Sequence, residues 1–290
     1  MSDSYAADAA GLVQRSAAAF IAAVPEQPCD EGYFGPASVT WRVASDLSVP
    51  VAGLRALLIQ ALHPLAMAGV DQHSDWRRDP VGRLAATSAY LATVTFGDRA
   101  AADRVAARVR MVHEHVRGTV DGTAEGEPYS ASDPGLLLWV HATFVDSGLA
   151  GCELFGTPAD ADAYVREMAI SAALLGVPEE QIPADAASLS SFITSLVPRL
   201  ALTPAAQDSA AYLLDPPGME EEIAELWQEI RDAVLISLPS WALDLYGLTA
   251  PADANRDEIR GALGLLDAVF MGEPGMVEAR QRITLRVRAA

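Results

Sequence analysis

No stretch of this chain alternates apolar and polar residues long enough to build a sheet, while its apolar residues return every three or four positions over most of its length. A chain patterned this way must bury its apolar surface helix against helix. Hydrophobic residues make up 51% and aromatics only 7%, so the core is largely Ala, Leu and Val, a mixture that favours helices.

The punctuation agrees. A first amphipathic helix is expected over Ala6 to Val24, followed by the loop-like PEQPCDEGYFGPAS. Leu54 to Val70 reads as one helix kinked at Pro64. Asp79-Pro80 and Asp133-Pro134 each place a capping aspartate before a proline at the first helical position. The helix after Asp79 carries Leu84, Thr87, Leu91 and Val94 on one stripe and stops at Gly97. The next is expected from Asp98 to Arg117 on a stripe of Val105, Val109, Val112 and Val116, with GTVDGTAEGEPYSAS as a polar loop and LLLWVHATFVDSG as a buried helix. Further helices are expected at 158–175, 188–197, 204–213, 219–237, 257–271 and 275–286. No linker is long enough to divide the chain, so residues 1–290 are expected to form a single all-α domain.

Composition narrows the chemistry. The net charge of -19 argues against nucleic acid and anionic membrane surfaces as partners. All 20 basic residues are arginine, which removes the lysine that a Walker-type phosphate loop or a Schiff-base enzyme requires. Cys29 and Cys152 form no CxxC. The N-terminus lacks the basic-then-apolar pattern of a signal peptide. The apolar run Ala56 to Val70 is shorter than the roughly 20 residues of a membrane span. A cytoplasmic protein with no membrane span is expected.

The five histidines are His63, His73, His113, His115 and His141. There is no HExxH, no ExxH pair and no GxSxG, so the common metallohydrolase, di-iron and serine-hydrolase signatures fail. A helical protein can still hold haem with one axial imidazole. His113 and His115 lie about 200° apart on a helix, so only one of them can face a cofactor. Taken against the valine stripe, they sit roughly 70° and 90° to either side, which leaves both open. His141 shares a stripe with Leu137 and Val145 and is a third candidate; as read from the residues it is a core histidine.

Five segments together resemble the MpaB-type oxygenases, the family that includes the rubber oxygenases (latex-clearing proteins). They are GPASVTWRV at 35–43, LRALLIQALHPLAMAGVDQHS at 54–74, DPVGRLAATSAY at 79–90, VRMVHEHVRG at 109–118 and YSASDPGLLLWVHATF at 129–144. The likeness is strongest over 33–175. It implies a globin-like helical core holding one haem b, with His113 as the axial iron ligand and Arg83 and Thr87 as the distal pair, and His141 beside the cofactor. Where rubber oxygenases carry a lysine before the distal threonine, this chain has Ala86, so five-coordinate or aquo iron is expected and polyisoprene is disfavoured as substrate.

Arg83 and Thr87 also read physically: at i and i+4 they share a helix face, where a guanidinium would stabilise negative charge on an oxygen ligand and a hydroxyl would orient it. Tyr90, one turn on, could line that pocket, but is read first as a packing aromatic. The function expected is a haem b-dependent oxygenase of an apolar or aromatic small molecule, using dioxygen. The alternatives are a peroxidase or peroxygenase in the same pocket, or a non-catalytic haem- or lipid-binding protein. The amphipathic helix at 219–237 could pack on a second copy in a homo-oligomer.

Overall fold

The computed structural model describes residues 14, 15, 17, 18, 20–24, 30–120, 126–217, 219 and 221–289. The helices are α1 (Val39–Ala44), α2 (Val49–Ala61), α3 (Pro64–His73), α4 (Pro80–Phe96), α5 (Arg99–His113), α6 (Pro134–Phe155), α7 (Ala161–Leu175), α8 (Ala186–Leu196), α9 (Pro204–Leu214), α10 (Glu221–Ser237), α11 (Ser240–Tyr246), α12 (Arg256–Met271) and α13 (Met276–Ala289). The fold is all-α, as the periodicity predicts. Of the expected first helix, residues 6–13 lie outside the described residues, and 20–23 are helical.

Two expectations are corrected. The segment read as a polar loop contains a small antiparallel hairpin, β1 (Arg117–Val120) paired with β2 (Glu127–Ser130) in the register Arg117↔Ser130. Four residues per strand are too few to show alternation in the sequence. For the same reason α5 ends at His113, not Arg117.

The region around Pro64 is a break, with α2 and α3 bent by 102°. Proline has no N–H, and the carbonyls released at the break find other donors. Gln60 O accepts from His63 N (3.2 Å) and from Trp139 Nε1 (3.4 Å). Leu58 O accepts from the Tyr246 hydroxyl (2.7 Å), and Leu62 O from Ala201 N (2.9 Å).

Helix α6 is the axis of the molecule. Asp133 Oδ1 caps it, accepting from Gly135 N (2.8 Å) and Leu136 N (3.1 Å). Its main partner is α2, with Val51, Leu58, Ile59, Trp139, Ala142 and Val145 in one core cluster. A Cβ on Gly148 would lie 2.9 Å from the Tyr164 hydroxyl and 3.3 Å from Val43, so glycine lets α1 and α7 close on this helix. At 22 residues α6 is long and apolar enough to cross a membrane, a length the sequence reading missed, yet 61% of that window is buried inside the fold.

Buried Arg55 ties the C-terminal helices to this core. Its Nη1 meets Asp146 Oδ2 and Ser147 Oγ, each at 2.7 Å, and its Nε donates to Ser237 O at 2.9 Å, so one side chain joins α2, α6 and α10. Glu167 of α7 caps α1 across the fold, accepting from Val39 N (3.1 Å) and Thr40 N (2.7 Å).

Candidate functional site

Helices α4 and α5 form an antiparallel pair set by local chemistry. Asp79 Oδ1 caps α4 by accepting from Gly82 N at 2.8 Å. Gly97 ends α4, and Asp98 Oδ1 caps α5 by accepting from Ala101 N at 2.7 Å. The two helices then run back along each other, bringing the start of α4 beside the end of α5.

Arg83 and Thr87 share one face and touch. Arg83 Nη1 donates to Thr87 Oγ1 at 2.8 Å, and Thr87 Oγ1 donates to Arg83 O at 3.1 Å. The hydroxyl's single proton is held by its own helix, so its lone pairs are what it shows the guanidinium. His113, the last residue of α5, is half-buried. Its imidazole pKa is lowered by burial and then by the positive charge of Arg83. The two side chains predicted to flank a cofactor are therefore electrostatic neighbours. No hydrogen bond to the His113 ring is found among the described residues, which leaves a neutral ring with its nitrogens uncommitted.

The orientation of α5 differs from expectation, and the difference separates the two histidines. Its buried residues are Ala102 and Ala106, while Val112 is 57% exposed. The inner stripe is alanine, and His113 lies seven residues past Ala106, within about 20° of it around the helix. His115 points away. Its Nδ1 sits 2.8 Å from Met111 O, on a shallow groove that it lines with His73, Arg108 and Met111.

The other histidines take distinct places. His63 is buried at the break before α3, its ring centroid 5.7 Å from that of Trp139 and its Nδ1 without a partner, and burial, aided by Arg199, lowers its pKa to about 4. His73 packs near Tyr129, ring centroids 6.2 Å apart. His141 is partly accessible, and burial lowers its pKa to about 4. No hydrogen bond, ion pair or ring contact joins His141 to Arg83 or His113, and α6 makes no extended packing contact with α4 or α5.

Arg83 and His141 share a further trait. Arg83 is exposed and His141 partly accessible, yet neighbouring protein desolvates each enough to lower its pKa. On α6, Val140 is 41% exposed and Phe144, one turn on, is partly buried.

One group was underweighted by the sequence. Tyr90 packs its ring against the main core, while its hydroxyl is buried with no partner. Burial raises its pKa to about 12, with Arg110 of α5 acting in the opposite sense. The signal was available, since Tyr90 follows Arg83 by seven residues and so lies on the same face. Among the described residues no three His, Cys, Asp or Glu side chains converge on a point.

The chain is all-α, and on its α4–α5 pair Arg83 is hydrogen-bonded to Thr87 and acts electrostatically on His113. Residues 41–268 match the family model described as ER-bound oxygenase mpaB/B′/Rubber oxygenase, catalytic domain, and the chain belongs to that family. No curated protein and no solved structure matches it.

Proposed function

We propose that this chain is a haem b-dependent oxygenase acting on an apolar or aromatic small molecule, with His113 as the axial iron ligand and Arg83 and Thr87 on the opposite side. The observation that carries the reading is the pairing of Arg83 and Thr87 beside the uncommitted imidazole of His113. The donor set fits the group. An axial ligand must offer a neutral ring nitrogen with no competing hydrogen bond, and both burial and the Arg83 charge hold His113 neutral at physiological pH. Val140 and Phe144 supply apolar surface of the kind a macrocycle covers, and His141, a neutral ring on the same helix, would help hold it.

Bound haem would supply the redox chemistry that activates oxygen. The chain's own residues would do the rest. Arg83 offers a fixed positive charge and spare N–H groups where negative charge develops. Thr87 holds that guanidinium in place, and its hydroxyl can reach a ligand only by turning away from Arg83 O. The buried face of α5, Ala102 and Ala106, and the Tyr90 ring packed on the core would back the site with apolar surface. A peroxide-driven reaction could use the same groups; comparing turnover with dioxygen and with peroxide separates the two.

The test of ligation is a pair of variants. His113→Ala should lose haem, read as loss of the Soret band after reconstitution and desalting, while His115→Ala, whose ring lies on the outer groove with His73, should retain it. Full haem occupancy in His113→Ala overturns the assignment.

A further inference from the structure

We propose that the Tyr90 phenol is a further hydrogen-bond donor of this site, on the same helix face as Arg83 and kept for a small anionic or strongly polarised ligand. This rests on the haem site proposed above.

The argument begins with an unmet need. The Tyr90 ring is held by packing against the main core, a task that phenylalanine would perform equally well. Its hydroxyl is buried and has no partner, and burying an unsatisfied hydroxyl is unfavourable. A group kept at such a cost has its partner outside the chain.

The position says what that partner meets. At about 100° per residue, Tyr90 lies roughly 20° from Arg83 around α4 and about 60° from Thr87, some 10 Å along the axis from Arg83. Helical side chains lean toward the N-terminus, so the phenol tilts back over the preceding turn, toward Thr87 and Arg83. Arg110 on the facing helix acts electrostatically on the phenol, which sets Tyr90 on the side of α4 that looks toward α5. A positive charge beside a neutral phenol favours an acceptor ligand carrying negative charge.

Tyr90→Phe removes only the hydroxyl. Because that hydroxyl has no protein partner, the melting temperature of the haem-free protein should stay the same or rise, and haem uptake should be unchanged. Optical titration of the ferric haem-loaded protein should show azide and fluoride binding about tenfold more weakly, the scale of one lost hydrogen bond to a charged acceptor. Imidazole, whose outer nitrogen donates rather than accepts, should bind as in the parent. Unchanged azide and fluoride affinities overturn the inference, as does a lowered melting temperature or an equal loss of imidazole affinity, each of which would mark a structural role. A parent protein that takes up no haem overturns the reading of the site itself; normal haem uptake with unaltered azide and fluoride binding overturns only the role of Tyr90.

Discussion

His63 is the residue with the clearest energetic signature. Its ring is 4% exposed, stacks near Trp139 and leaves Nδ1 unpaired, so protonation inside the fold is strongly disfavoured. Its pKa in the folded chain is about 4, below the ordinary value of 6.5. Between those two values the unfolded chain binds the proton more readily. The stability this neutral ring contributes is therefore complete above about pH 6.5 and is lost as pH falls toward 4. Between pH 7.5 and 5 the linkage comes to about 2 kcal/mol. Urea unfolding at the two pH values should show a smaller acid loss in His63→Phe than in the parent, by about that amount. Equal losses would mean that His63 takes up its proton without opening the structure. His141 has the same window, so the variant should keep part of the acid sensitivity.

At the scale of elements, the α4–α5 hairpin holds the residues to which the proposed chemistry is assigned. Arg83 stands one turn before Thr87, fixed by a 2.8 Å hydrogen bond, and faces the end of α5. Arg83→Ala leaves the cap at Asp79 and the buried face of Val81 and Ala85 intact, so haem should be retained. Turnover should fall by about 10²-fold or more, as for the loss of one preorganised donor to developing negative charge. Arg83→Lys should recover little, because an ammonium lacks the planar fork that reaches both Thr87 and a ligand. Parent-like turnover in Arg83→Ala would make this arginine structural and move the chemistry elsewhere. The hairpin was largely legible in the sequence, where Asp79-Pro80, Gly97 and Asp98 mark its boundaries through local capping. Which face of α5 points inward was not legible. The valine stripe is the more hydrophobic, yet the alanines are buried, because close packing of α5 on its neighbours needs small side chains.

For the whole molecule, the C-terminal helices are joined to the core through Arg55. Three contacts converge on a guanidinium that is nearly sealed from water, and its ion-pair partner Asp146 keeps 35% of its side chain exposed. Arg55→Met should destabilise the protein by roughly 2–4 kcal/mol, less than a fully buried pair because Asp146 can rehydrate. Its haem spectrum at low temperature should match the parent, since none of the three contacts involves the α4–α5 pair. A stability change within error would show that α10 is held by its apolar contacts alone.

The sequence by itself determined the helical class, most helix boundaries and the family, because capping aspartates, prolines and apolar spacing act over a few residues. It also put Arg83 and Thr87 on one face, since i and i+4 meet on any helix. Only the tertiary structure decided that His113 turns inward and His115 outward, that Pro64 breaks the helix outright, and that Tyr90 keeps an unsatisfied hydroxyl. Each of these depends on which side chains or carbonyls from distant segments arrive at the same place. Gln60 O meets Trp139 and Arg55 meets Ser237 across separations that local spacing does not encode.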